Sequence, residues 1–154
     1  MTSIREARSD DVPQLVALMA EFYAESDYPL PAEAAARAFE HLLADPRLGR
    51  VWLLVADGEP AGYVVLTWGF SMEYGGLRGF VDDLFVRAEH RGRGLAAAAL
   101  AEVRRTAEAL GVRALDVEVG PENDAARRVY ARAGFEDTGR MLLAQPLTAP
   151  VHAA

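Results

Sequence analysis

The sequence predicts a mixed α/β domain, and three observations carry that expectation. Runs with strand character and runs with helical spacing follow one another in the order βαα, then three strands, then αβαβ. Asp57-Gly58 between two apolar runs marks a hairpin, so the first half carries antiparallel pairing. In the second half a strand over residues 80–86 runs through Arg91-Gly92-Arg93-Gly94 into a long alanine-rich helix, the layout of a crossover between parallel strands.

Residues 3–8 read as a short first strand, and Ser9 or Asp10 can cap the helix that follows to about residue 25. Val12, Leu15, Val16, Leu18, Met19 and Phe22 make one broad apolar face there. Residues 26–31 connect it to a second amphipathic helix over 32–43, which Asp45-Pro46 ends. Residues 50–56 and 61–70 form the hairpin, with Trp52 and Trp68 packing on the sheet. Residues 73–79, rich in glycine, read as a loop leading into the strand of 80–86. The long helix runs to Leu110, and Gly111 is suited to close it. A strand over 113–119, a shorter helix over 123–133 closed by Gly134, and one or two strands within 135–143 complete the domain. The expected organisation is one domain over 1–145 and a frayed tail over 146–154, where prolines and small residues collect.

A chain of 154 residues, 51% hydrophobic and 25% charged, can bury an ordinary core. Sixteen basic against 23 acidic residues give a net charge of −7, which argues against nucleic acid or an anionic membrane as partner and favours a cationic one. There is no cysteine, so disulfides, thiolate metal sites and a cysteine nucleophile are excluded. The three histidines are far apart in sequence and suggest no metal cluster; His90 reads as loop surface. No apolar run is long enough to span a bilayer and the first residues carry no hydrophobic signal core, so a cytoplasmic protein is expected.

The junction after residue 86 carries the chemistry. Gly92 and Gly94 can take positive φ and let a ligand approach the backbone. The first turn of the next helix offers unpaired N–H groups and the positive end of its dipole. Such a unit can hold a diphosphate, with Arg91 and Arg93 either adding charge or forming a solvated rim. No Gly-Lys-Ser/Thr follows, which excludes a P-loop, and the third glycine of a dinucleotide fingerprint is absent.

Arg91-x-x-Gly94-x-Ala96, after Asp82-Asp83-Leu84-Phe85-Val86, resembles the acetyl-CoA loop of the GNAT superfamily of N-acetyltransferases, whose signature there is Gln/Arg-x-x-Gly-x-Gly/Ala. The run from Asn123 through Tyr130 to Gly134-Phe135 is similar to that family's second landmark, in the right order and spacing. The resemblance implies a mixed sheet of about six to seven strands flanked by four helices, with two central parallel strands splayed apart around coenzyme A and a bulge in the first of them. It implies acetyl-CoA as cofactor, held by Leu84, Phe85 and Val86, by Arg91, Gly92, Arg93, Gly94, Leu95 and Ala96, and by Asn123 and Tyr130. A homodimer is compatible with it, since dimers are frequent in the family.

An amine of pKa about 10.4 is about one part in a few thousand neutral at pH 7, so something must take its proton. The candidates are Asp82, Asp83 and Glu118 at the inner ends of the splayed strands. By resemblance Asp82 takes the acidic position near the acceptor, acting through water. Both aspartates could instead be solvated or paired with Arg78 or Arg87, and alternation cannot say which faces the covered side if a bulge intervenes. Glu118 is either a water-chain contact or a strand-end charge. A main-chain N–H near Phe85 or Val86 would steady charge on the acyl oxygen.

Tyr130, the family's tyrosine beside the cofactor sulfur, would protonate the leaving thiolate; on pattern alone it also fits an apolar face with Ala126, Val129 and Ala133. Asn123 either caps its helix or binds the pantetheine arm. Tyr28, in the connection that walls the acceptor site in the family, either touches substrate or packs on its own loop. The expected activity is direct acetyl transfer from acetyl-CoA to a small cationic amine. Its rivals are a peptide N-terminal or protein-lysine acetyltransferase, a non-catalytic acyl-CoA-binding module, and a nucleotide-binding module that does not bind CoA.

Overall fold

A computed structural model describes residues 1–153. The chain forms β1 (Thr2–Glu6), α1 (Val12–Ala24), α2 (Ala32–Ala44), β2 (Gly49–Ala56), β3 (Glu59–Ser71), β4 (Gly76–Val86), α3 (Leu95–Ala109), β5 (Val112–Val117) and α4 (Asp124–Arg132). The strands build one sheet in the order β1-β2-β3-β4-β5, antiparallel up to β4 and parallel between β4 and β5. Reversals link the first four strands through short connections or α1 and α2, whereas the parallel step needs the α3 crossover.

The sheet divides the core into two layers. On one face Leu15, Leu18, Phe39, Leu53, Tyr63 and Phe85 join α1 and α2 to the sheet. On the other Trp52, Val64, Leu66, Leu95, Leu100 and Val103 pack α3 against it, with Val129 and Tyr130 of α4 at the margin. Leu15, Leu18 and Val103 are wholly buried, each contributing about 1.5–3 kcal/mol by removal from water. The start of α1 is fixed by Asp11, which accepts from both Arg5 guanidinium nitrogens at 2.8 and 2.9 Å and from the Arg8 N–H at 2.8 Å.

Two expectations fail and one gains a physical basis. β4 begins at Gly76, inside the stretch read as a loop, because Leu77 pairs both with Phe70 of β3 and with Val112 of β5. The further strands expected within 135–143 do not form, and the sheet has five strands rather than six or seven. There the Asp137 and Thr138 side chains accept from the Gly139 and Arg140 N–H groups, local bonds that compete with a ladder. Met141, Leu142 and Leu143 lie exposed. Val151–Ala153 form a 3-10 helical turn, with His152 against Tyr28 of the connection between α1 and α2. The expected splay is present: the β4–β5 pairing stops at Val81 and Val117, while β4 runs on to Val86.

Candidate active site

A bulge in β4 sets the site. Val65 pairs with Asp83 and Leu66 with Val81, so Asp82 is an extra residue with no partner on β3. Val81 faces the α3 layer. Without the insertion Asp83 would face it too; with it, Asp83 turns to the α1–α2 layer beside Tyr63 and Phe85, while Leu84 and Val86 return to the α3 side. The Tyr63 hydroxyl donates to Asp83 Oδ2 at 2.7 Å. Burial pushes the Asp83 carboxyl up to about 6, the Tyr63 bond pulls it back, and the Asp82 charge pushes it further up. Asp82 is open to solvent on one side, yet the protein around it also holds its carboxyl above the usual range.

Neither aspartate has an ion-pair partner among the described residues. The arginines that could have neutralised them are engaged elsewhere. Arg78 binds Asp116 and Glu73. Arg87 donates to Glu21 of α1 and, at 2.9 Å, to the Pro60 carbonyl. Two carboxylates are therefore left unneutralised at the point where β4 and β5 part.

The junction beyond β4 is an array of open amides. Gly92 and Gly94 have φ of 78° and 79°, and a Cβ added to either would meet open space. Among the described residues, none of the main-chain N–H groups from Gly92 to Ala97 has an intramolecular acceptor; the first satisfied one is that of Ala98, on the Gly94 carbonyl. These donors at the start of α3 form a cradle for an anion such as a diphosphate. The arginines hold the cradle from outside. Arg91 donates to the Val86 carbonyl at 2.8 Å and to Glu25 just past the end of α1, with its guanidinium over Phe85. Arg93 pairs with Asp57 in the β2–β3 hairpin. The Arg87 N–H donates to the Ala61 carbonyl on the β3 side at 2.7 Å, so the Val86 N–H, one residue earlier in the strand, points the opposite way, toward the β5 side.

Tyr130 lies half-buried against the α3-side core, edge-on to Phe135 at 5.7 Å. Burial, and then the Asp83 charge, push its phenol up, so it keeps its proton. Asn123 caps α4, its Oδ1 accepting from the Ala126 N–H at 3.1 Å, which leaves its amide nitrogen without an acceptor among the described residues. Glu118 is exposed just past β5 and takes part in no hydrogen bond among the described residues. Leu84, Phe85 and Val86 close β4, and Leu95 and Ala96 open α3.

Three residues of this site escape sequence reasoning. Tyr63 sits in an unbroken apolar run and reads as packing. Tyr23, on α1, packs on the same core layer as Phe85, edge-on to Phe22, and its phenol is pushed up to about 12 by burial and then by the charges of Asp83 and Asp82. His152 stacks on Tyr28 with ring centroids 4.2 Å apart and planes 9° apart. No group of side chains suited to a metal ion occurs among the described residues, and no helix there is long and apolar enough to cross a membrane.

The sequence matches the model of the Acetyltransferase (GNAT) family over residues 12–135, so the chain belongs to that family and is an acetyltransferase. It is similar to the thialysine N-epsilon-acetyltransferase of Bos taurus, 29% identical over 148 residues that cover 87% of this chain and 84% of that protein. It is also similar to the L-methionine sulfoximine/L-methionine sulfone acetyltransferase of Pseudomonas paraeruginosa, 29% identical over 90% of this chain and 83% of that one. An integron cassette protein from the mobile metagenome of Cole Harbour Salt Marsh shares the fold with a TM-score of 0.90 and 57% identity, over 97% of this chain and 93% of that one. A solved aminoglycoside N-acetyltransferase in complex with CoA has the same fold, with a TM-score of 0.83 at 21% identity over 96% of both chains.

Proposed function

We propose that the protein transfers an acetyl group from acetyl-CoA directly to the primary amine of a small cationic molecule, with Asp83 receiving the amine proton and Tyr130 serving the departing sulfur. The observation that carries this reading is the pair of unneutralised carboxylates, Asp82 and Asp83, set by a bulge beside a run of open amides. A cationic acceptor is drawn by that charge, and a carboxyl at about 6 is ionised near neutral pH while still basic enough to accept a proton. The relatives named for thialysine and for methionine sulfoximine act on small molecules, which favours a small acceptor over a protein side chain.

The residues present fit the cofactor: amides 92–97 suit a diphosphate, and the β4–β5 gap suits an extended arm. When bound, acetyl-CoA supplies an activated acyl carbon and a sulfur leaving group. The chain supplies the rest. The Val86 N–H points toward the β5 side and is available to an oxygen that gains charge there. Asp83 takes the proton from the amine, directly or through one water beside Asp82. Tyr130 holds a phenolic proton. With no cysteine in the sequence, an acetyl-cysteine enzyme is excluded and attack is direct. The cytoplasm is the proposed location.

The test is release of free CoA from acetyl-CoA across polyamines, amino acids, aminoglycosides and short peptides. Stimulation by one of the small cationic amines is expected. Stimulation by peptides alone would move the assignment to a protein acceptor, and CoA binding with no stimulation by any amine would mark a binding module.

A further inference from the structure

Aromatic side chains of α1, of the connection to α2, of β4 and of the tail form one connected set. Phe22 stacks on Phe85 at 5.4 Å and meets Tyr23 edge-on at 5.7 Å. Tyr23 meets Tyr28 at 6.3 Å and His152 at 5.9 Å, and His152 lies flat on Tyr28. The path therefore runs from the exposed ring of Tyr28 down to the layer that holds Asp83. His152 comes from a segment that is distant in sequence. It is half-buried, and its turn is closed by a single main-chain bond, Ala153 N–H to the Pro150 carbonyl.

We propose that His152 is a specificity-determining residue of the acceptor pocket: with Tyr28 and Tyr23 it forms an aromatic wall along which an organic cation lies while its free amine reaches Asp83. This rests on the acetyltransferase reading above and names a residue and a ligand chemistry for its acceptor end. Aromatic rings joined through Tyr23 and Phe22 to the layer that holds Asp83 suit an ammonium or guanidinium group, which gains from a ring face and from the carboxylate charge. An acceptor with a second cationic centre, one at the wall and one at Asp83, uses both.

The test compares the native protein with His152→Ala and His152→Phe in the CoA-release assay, using spermidine, L-lysine and kanamycin as acceptors. Loss of a ring face from a cation site predicts a rise of about 3- to 30-fold in acceptor KM for His152→Ala, with kcat and the affinity for CoA unchanged, and recovery in His152→Phe. An unchanged acceptor KM, or a change that appears equally in CoA affinity, would overturn the proposal. Acceptor KM falling in His152→Ala would also overturn it, since the turn would then be blocking the pocket. Proton NMR of the His152 ring, assigned by its absence in His152→Ala, gives a readout free of turnover. Its signals are expected to move on addition of spermidine, and to lose the shielding from Tyr28 in Tyr28→Leu. If no amine stimulates CoA release, the acetyltransferase reading for these acceptors fails; if in addition none of the three moves the His152 signals, the pocket proposal fails on its own evidence.

Discussion

The Tyr63 hydroxyl and the Asp83 carboxylate meet at 2.7 Å on one face of the β3–β4 pair, although Tyr63 is paired across the strands with Phe85 and Asp83 with Val65. A wholly buried tyrosine and a half-buried aspartate thus share one bond at the floor of the cleft. Burial drives the carboxyl toward its neutral form and the phenol restrains it, so Asp83 comes to rest at about 6. An aspartate at its ordinary value would be a weaker base for an ammonium proton, and one buried without the phenol would be pushed further toward its neutral form.

Asp83→Asn is therefore expected to lower kcat by about 10²- to 10⁴-fold, the usual contribution of a placed base, with little change in CoA affinity. In the native enzyme the acidic limb of the kcat/KM profile should have its midpoint near the Asp83 value of about 6. Stopped assays across pH 4.5–9 measure both. A limb at the ordinary aspartate value, or an Asn variant with full turnover, would remove Asp83 from the reaction.

The same raised value carries a cost in stability. The folded protein binds the Asp83 proton more tightly than the unfolded chain, whose aspartate titrates near 3.8. Between those values the native state holds more protons, so stability falls as pH rises through the window and the penalty is complete above about 6. From 3.8 to about 6 the penalty is at most about 3 kcal/mol. Asp83→Asn escapes it. Urea denaturation should find the variant more stable than the native protein at pH 8, with the difference closing as pH is lowered toward 4. A less stable variant at pH 8 would mean that the carboxylate is well solvated in the fold.

Tyr63→Phe isolates the bond. The phenol stabilises the charged carboxylate, so its loss pushes Asp83 further up and moves the acidic limb of the rate profile to higher pH. Maximal kcat at high pH should be largely kept, and stability should fall by about 1 kcal/mol for the lost hydrogen bond. A variant with an unshifted limb would show that Tyr63 only packs.

What the sequence makes legible here, and what it hides, follows the range of each interaction. The amide cradle is local: strand, two glycines and helix start lie within residues 80–97, so the residues themselves announce it. Asp82-Asp83 stands out in an apolar strand, but which one faces the acceptor depends on a bulge defined only by pairing with β3. Tyr63 lies 20 positions from its partner, in a run where an aromatic reads as core. His152 sits among prolines and small residues without periodicity, and only tertiary contact reveals its place. The missing strands near Met141 show the reverse error: an apolar triplet reads as strand, while polar side chains just before it close turns on their own backbone.

Tyr130→Phe separates chemistry from packing. The ring keeps its edge contact with Phe135 and only the proton donor is lost. Turnover is expected to drop by about 10²-fold, while calorimetric affinity for CoA changes little. Equal loss in both would make Tyr130 part of the binding surface instead.

Gly94 tests the cradle. Its φ of 79° lies in the left-handed region, so Gly94→Ala carries strain of about 1–2 kcal/mol even though its methyl meets open space. Gly94→Asp adds a carboxylate beside amides that suit an anion, and repulsion between that charge and a diphosphate compounds the strain. Calorimetry with CoA should therefore rank native above Ala and Ala far above Asp, with Asp close to the detection limit, while binding of the dephosphorylated pantetheine arm alone is weak and similar in all three. Adenine nucleotides should follow the same order as CoA if the amides grip the phosphates. If Gly94→Asp bound CoA as tightly as the native protein, the open amides between Gly92 and Ala97 would have to serve some other ligand.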